Sequence, residues 1–144
     1  TITENKMELK YIYFDNTSYD ESFKIEENMF FYNMALNNDI EKNEQGIIGD
    51  PTEIAITSYL EKITDPYLLK NKYPRINEIP FDSERKMMSV VCAINNKKYL
   101  FTKGSFEEII KHCPKMEENN TLQSLTKAKI QELQKLEKEK SNQA

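Results

Sequence analysis

Two runs of strand-forming residues, KMMSVVCAI (86–94) and KKYLFTKG (97–104), are separated by nothing but Asn95-Asn96. A two-residue connection between antiparallel strands needs positive φ at its central positions, and asparagine tolerates that backbone far better than most side chains. The pair therefore predicts a β-hairpin, and any fold for this chain has to accommodate it. A third β segment, RINEIPF (75–81), lies just ahead of it and predicts a further strand.

Around this core the chain alternates elements of other kinds. MELKYIYF (7–14) reads as a strand that opens the sheet. Residues 21–38 place Phe23, Met29, Phe30, Met34 and Ile25 near one helical face, with Asn37-Asn38 as a stop, so an amphipathic core helix is expected there. Residues 39–50, Asn-rich and holding Gly46 and Gly49, read as a loop ending in Asp50-Pro51. Pro51 suits a first helical position and Asp50 can cap the free N–H groups, so a helix is predicted from 51 to about 63, with Glu53 in its first turn where the dipole favours an anion. Asp65-Pro66 and Tyr73-Pro74 punctuate the connection back to the sheet. Ser105 and Glu108 form the pattern of a capping box for a short helix ending near His112-Cys113-Pro114. Residues 115–125 read as irregular, and Thr126 is expected to cap a last helix whose Ile130, Leu133 and Leu136 face inward.

The expected fold class is thus α+β, a twisted antiparallel sheet flanked by helices. A length of 144 residues predicts one domain over 1–144, burying roughly 68–70% of its unfolded surface. Hydrophobic residues make up 38% and charged ones 31%, short of the composition of disorder. The 20 Lys and Arg against 24 Asp and Glu are dispersed, with a net charge of −4, so no nucleic-acid surface is expected. Cys92 and Cys113 form no CxxC pair and His112 is the single histidine, which leaves too few soft ligands for zinc and fits a reduced, cytosolic setting. No run of about 20 apolar residues is present, so no membrane insertion of this stretch is expected. The start at Thr1 and the stop after a charged helix suggest a piece of a longer chain.

Three segments carry chemistry: GDPTEIAI (49–56), FDSERKMMSV (81–90) and FTKGSFEEI (101–109). Each residue in them has an ordinary reading when taken alone: Phe81 as core, Glu53 as a helix-dipole partner, Lys86 and Lys103 as solvated surface charges. In this order and with these gaps, however, the three segments resemble the nucleotide-binding domain of P-type cation-transporting ATPases, and that resemblance opens a ligand reading which the residue types support. An adenine ring needs an aromatic face and an acceptor for its exocyclic amine, which Phe81 and Glu53 could supply. A triphosphate in a net acidic domain has to be met by a few placed cations, for which Lys86 and Lys103 are the candidates. Gly104, with no side chain, would let backbone and ligand come close.

Within that family the likeness is to the calcium-pump-like branch in particular. The opening TITENKM (1–7) is similar to the stretch just after that family's Asp-Lys-Thr-Gly motif, whose aspartate is the one phosphorylated. The resemblance implies that Phe81 stacks on adenine, that Glu53 with Thr52 contacts it, that Met88 pads the pocket, that Lys103-Gly104 forms its floor, and that Lys86 is the basic residue of the FxSxRK-type segment. It implies ATP as ligand and Mg²⁺ held only in the parent protein, with no catalytic or metal-binding residue in this stretch. It further implies phosphorylation and actuator domains as partners, and a cytoplasmic domain of an integral membrane pump that binds nucleotide without turnover by itself. Two departures stand out. Ser83 replaces an arginine frequent in animal calcium pumps, and Lys103-Gly104-Ser105-Phe106-Glu107 replaces the more usual Lys-Gly-Ala-Pro-Glu. A regulatory or protein-interaction module that kept the scaffold without the ligand is the competing expectation, and a soluble hydrolase ranks behind it, since no nucleophile has an adjacent base.

Overall fold

A computed structural model describes residues 6–143. The family-like opening TITENKM lies almost wholly outside these residues. The chain is a mixture of helices and antiparallel sheets, the α+β class expected, with one three-stranded sheet and three separate two-stranded ones among the described residues.

The first hairpin joins β1, Tyr11–Phe14, to β2, Thr17–Asp20. Its turn residues Asp15 and Asn16 have φ of 50° and 66°. So β1 pairs within its own hairpin rather than opening the main sheet, because Thr-Ser-Tyr-Asp comes directly after a turn that permits positive φ. The next expectation also changes. Helix α1 is Met29–Leu36, not 21–38: Asn28 caps it by accepting from the Phe31 N–H at 2.8 Å. The start at 29 rotates the face. Phe31, Tyr32, Ala35 and Leu36 are buried, whereas Met29 and Phe30 are 42% and 38% exposed. Ile25 is buried in a non-helical segment, its N–H donating to the Tyr59 hydroxyl.

The expected loop 39–50 contains a hairpin, β3 (Glu41–Asn43) with β4 (Gly46–Ile48), turning at Glu44-Gln45 just ahead of Gly46, whose φ is 125°. Helix α2, Pro51–Glu61, forms where predicted, with the Asp50 carboxylate accepting from the Thr52 and Glu53 N–H groups. The stretch read as a connection is helix α3, Pro66–Lys72, with Asp65 accepting from the N–H groups of Tyr67 and Leu68. Asp65-Pro66 repeats the cap and first-turn chemistry of Asp50-Pro51, and the helix was legible there.

The main sheet has the order β5-β6-β7, all antiparallel: β5 Arg75–Ile79, β6 Met87–Ile94, β7 Lys97–Gly104. Asn95 and Asn96, at φ of 52° and 65°, make the predicted hairpin turn. On β6, Met88, Val90, Cys92 and Ile94 point to one face at period two and meet Phe31, Leu36, Tyr59 and Leu60 in the core. Asn37, 1% exposed, ties the helical layer to that face: its Nδ2 donates to the carbonyls of Met88 and Phe101, each at 3.2 Å.

Helix α4, Phe106–Ile110, starts at Ser105, but no side-chain cap bond forms, so the expected capping box is absent. The segment expected to be irregular is a fourth hairpin, β8 (Lys115–Glu118) with β9 (Thr121–Ser124), turned by Asn119-Asn120 at φ of 50° and 62°. It reuses the asparagine pair of the main hairpin. Helix α5, Lys127–Asn142, is capped by Thr126 as expected and buries Leu133.

Candidate functional site

The first turn of α2, the end of β7, the start of β6 and the loop after β5 converge on one cavity of about 580 Å³. Thr52 and Glu53 come from α2, Met88 from β6, Lys103 and Gly104 from β7, and Phe81 from the β5–β6 loop. Residues distant in the chain thus meet because antiparallel pairing sets Met88 opposite Lys103 and Met87 opposite Gly104.

Met88 is 3% exposed and forms the apolar floor, while Phe81 is 62% exposed and stands at the rim. A large aromatic left that open is unspent apolar surface at the mouth of a cavity, which argues against the core reading. Between them the Lys103 ammonium meets Glu53 Oε2 at 2.6 Å. The Asp39 N–H donates to the same oxygen at 3.1 Å. Among the described residues no hydrogen bond falls on Oε1, so that oxygen can accept from a ligand.

The segment carrying the Asp39 amide is itself held by two cations. Lys70 Nζ donates to the carbonyls of Asn38 at 3.2 Å and Ile40 at 3.0 Å, and Arg75 donates to the Asn38 carbonyl at 2.7 Å and to the Asp39 carboxylate at 3.1 Å. Burial, with the Arg75 charge next in weight, pushes the Lys70 ammonium below its ordinary value. Neither cation carries a signal in the sequence, because their role depends on where Asn38 to Ile40 end up.

Two expected residues are placed differently. Lys86 is exposed, has a φ of 56° and does not line the cavity; its ammonium is a surface charge on the same loop as Phe81. Gly104 lines the cavity, yet what its missing side chain admits is the chain itself: a Cβ there would stand 2.5 Å from the Lys86 carbonyl oxygen and 2.9 Å from Met87 Cγ. Asp39, Asp50, Ile56 and Ser105 complete the wall. Asp50 has a cap signal only in the sequence, and Asp39 has none.

The structure thus brings Thr52, Glu53, Phe81, Met88, Lys103 and Gly104 to one cavity within a mixed α and antiparallel β scaffold. The family model for P-type ATPase, cytoplasmic domain N, matches residues 23–144, and the chain belongs to that family. Among individual proteins it is similar to calcium-transporting ATPase 1 of Bacillus cereus, 37% identical over 143 residues, covering 89% of this chain and 15% of that protein. Calcium-transporting ATPase 1 of Lactococcus lactis is 33% identical over 131 residues, 88% of this chain and 15% of its own length. Calcium-transporting ATPase type 2C member 2 of Homo sapiens is 40% identical over 83 residues, 56% of this chain and 8% of that protein. The chain therefore spans about 15% of the length of the bacterial relatives it matches. No helix among the described residues is long and apolar enough to cross a membrane.

Proposed function

We propose that this chain is the ATP-binding domain of a P-type cation-transporting ATPase, a calcium pump, and that it presents the γ-phosphate of ATP to an aspartate on the adjacent phosphorylation domain. The observation that carries the reading is the single cavity that gathers an exposed aromatic ring, a buried methionine, an acceptor-only carboxylate and a lysine from four elements. Adenine lies between Phe81 and Met88 with its exocyclic amine toward Glu53 Oε1, a geometry that an acceptor-only group selects. Lys103 meets the ribose and phosphate end, Thr52 flanks Glu53, and Lys86 adds an ammonium on the same loop where the phosphates leave the cavity. Ser83 supplies no cation beside it, so the phosphates stay largely in water and binding by this chain alone is weak.

Mg²⁺ would be held in the parent protein, with the phosphate tail, and not by this domain alone. When bound it supplies charge neutralisation of the transferring phosphoryl group. This chain's own part is to bind and orient; the phosphorylation and actuator domains of an integral membrane pump are its partners, and this chain is the part of it on the cytoplasmic side. The reading is tested by titrating with AMP-PNP and tracking backbone amide shifts. Movement at Phe81, Lys103 and Glu53 supports it; silence at millimolar nucleotide removes it and leaves an interaction module as the function.

A further inference from the structure

Phe81 is 62% exposed on the loop between β5 and β6, yet that loop is not loose. One side chain closes it. Arg85 Nη2 donates to the Ile79 carbonyl at 3.3 Å and to the Met87 carbonyl at 2.9 Å, joining the last residue of β5 to the first residue of β6. Its Nη1 donates to Ser89 Oγ at 3.2 Å, and that hydroxyl shares a 2.8 Å hydrogen bond with Thr102 on β7. A single guanidinium therefore reaches β5 and β6 directly and β7 through one hydroxyl. Inside the loop, Asp82 completes the turn: its Oδ1 accepts from the Arg85 N–H at 2.5 Å and its carbonyl from the Lys86 N–H at 2.8 Å.

We propose that Arg85 is a positioning residue of the nucleotide site, acting through Phe81 rather than on the nucleotide. The inference rests on the nucleotide-binding reading above and deepens it by naming what holds the stacking ring. Arg85 does not line the cavity, so a direct contact is not what the geometry offers. Its three acceptors lie on two strands and a side chain, which a guanidinium with five donors satisfies and a lysine ammonium on a flexible stem does not. A stacking ring 62% exposed has to be pre-ordered by its backbone, since disorder in the free state is subtracted from affinity on binding.

The experiment is a double-mutant cycle on the full chain, read by AMP-PNP titration, with R85K, R85A, F81A, K103A and the pairs R85K/F81A and R85K/K103A. Heteronuclear spectra and melting curves first establish which variants are folded; R85K keeps charge and stem and serves if R85A does not fold. The expected result is a roughly three- to tenfold loss of affinity for R85K, close to no further loss when F81A is already present, and an additive loss beside K103A. Broadened Phe81 ring and loop amide signals in R85K accompany it. An unchanged affinity for folded R85K overturns the proposal, as does an equal loss in the F81A background, which would mean direct contact or a general structural effect. If the wild-type chain binds no AMP-PNP, the nucleotide reading fails first and the role of Arg85 falls with it.

Discussion

The carbonyl oxygen of Lys86 lies 2.5 Å from where a β-carbon on Gly104 would stand, so the end of β7 and the Phe81 loop are packed against each other through a missing side chain. Gly104 does not have a positive φ, and space alone makes glycine the residue that fits. G104A is expected to push the loop off β7 and to cost roughly 1–3 kcal/mol of stability, with weaker nucleotide binding as a second effect. Denaturant midpoints and AMP-PNP titration on the same variant check both.

Phe81 contributes almost nothing to the core, and its removal separates binding from folding. F81A is expected to lower nucleotide affinity by about 1–3 kcal/mol, the range for a base stacked on an aromatic ring, while the melting temperature stays within about 1 °C. Unchanged affinity in a folded F81A protein would remove the stacking role.

Lys103 and Glu53 form an ion pair in the cavity wall, with side-chain exposures of 31% and 12%. K103M leaves the carboxylate with only the Asp39 amide as partner and is expected to cost roughly 1–3 kcal/mol of stability. The pair E53Q/K103M should regain most of that stability but none of the affinity. Thermal melts and nucleotide titrations on the three variants read the two effects apart.

Two phenols make the fold sensitive to alkali. Burial first, then the Glu61 carboxylate it donates to, push the Tyr67 hydroxyl from 10.0 up to about 12. Burial, with Glu27 next, raises Tyr32 as well. A group whose pKa is higher in the folded state gives stability that is complete below pH 10 and is lost as the pH rises through the folded value. Lys70, lowered by burial, acts in the opposite direction in the window just below 10.5. Denaturant midpoints are therefore expected to fall between pH 10 and 12, and Y67F, which cannot ionise, should show the shallower fall.

Asn37 is buried at 1% exposure and donates into the β6–β7 pair from the end of α1. N37L fills the space but withdraws the donor from two buried strand carbonyls and is expected to cost roughly 1–3 kcal/mol. Equilibrium unfolding measures it, and a loss below about 0.5 kcal/mol, the size of a typical surface change, would show that the bonds are dispensable.

Local chemistry within residues 6–143 is readable from the sequence. Asp50-Pro51 starts a helix, Asn95-Asn96 turns a hairpin and Thr126 caps α5, because each depends on backbone torsions and hydrogen bonds within a few residues. The same chemistry at Asp65-Pro66 and Asn119-Asn120 makes α3 and the β8–β9 hairpin, so those two elements are present in the sequence even where it reads as connection and irregular chain. The order of GDPTEIAI, FDSERKMMSV and FTKGSFEEI is enough to indicate the family.

Tertiary structure alone decided which carbonyls the end of α1 would reach, since Asn37 donates to Met88 and Phe101, 51 and 64 residues further along the chain. It also decided that Glu53 would meet Lys103, far along the chain, and that Lys86 would lie outside the cavity while Arg85 closed the loop beside it. The reason is one of range. Capping and turn energies act over a few residues of chain, whereas the contacts of a site are fixed by strand register and helix packing, which no short stretch of sequence contains.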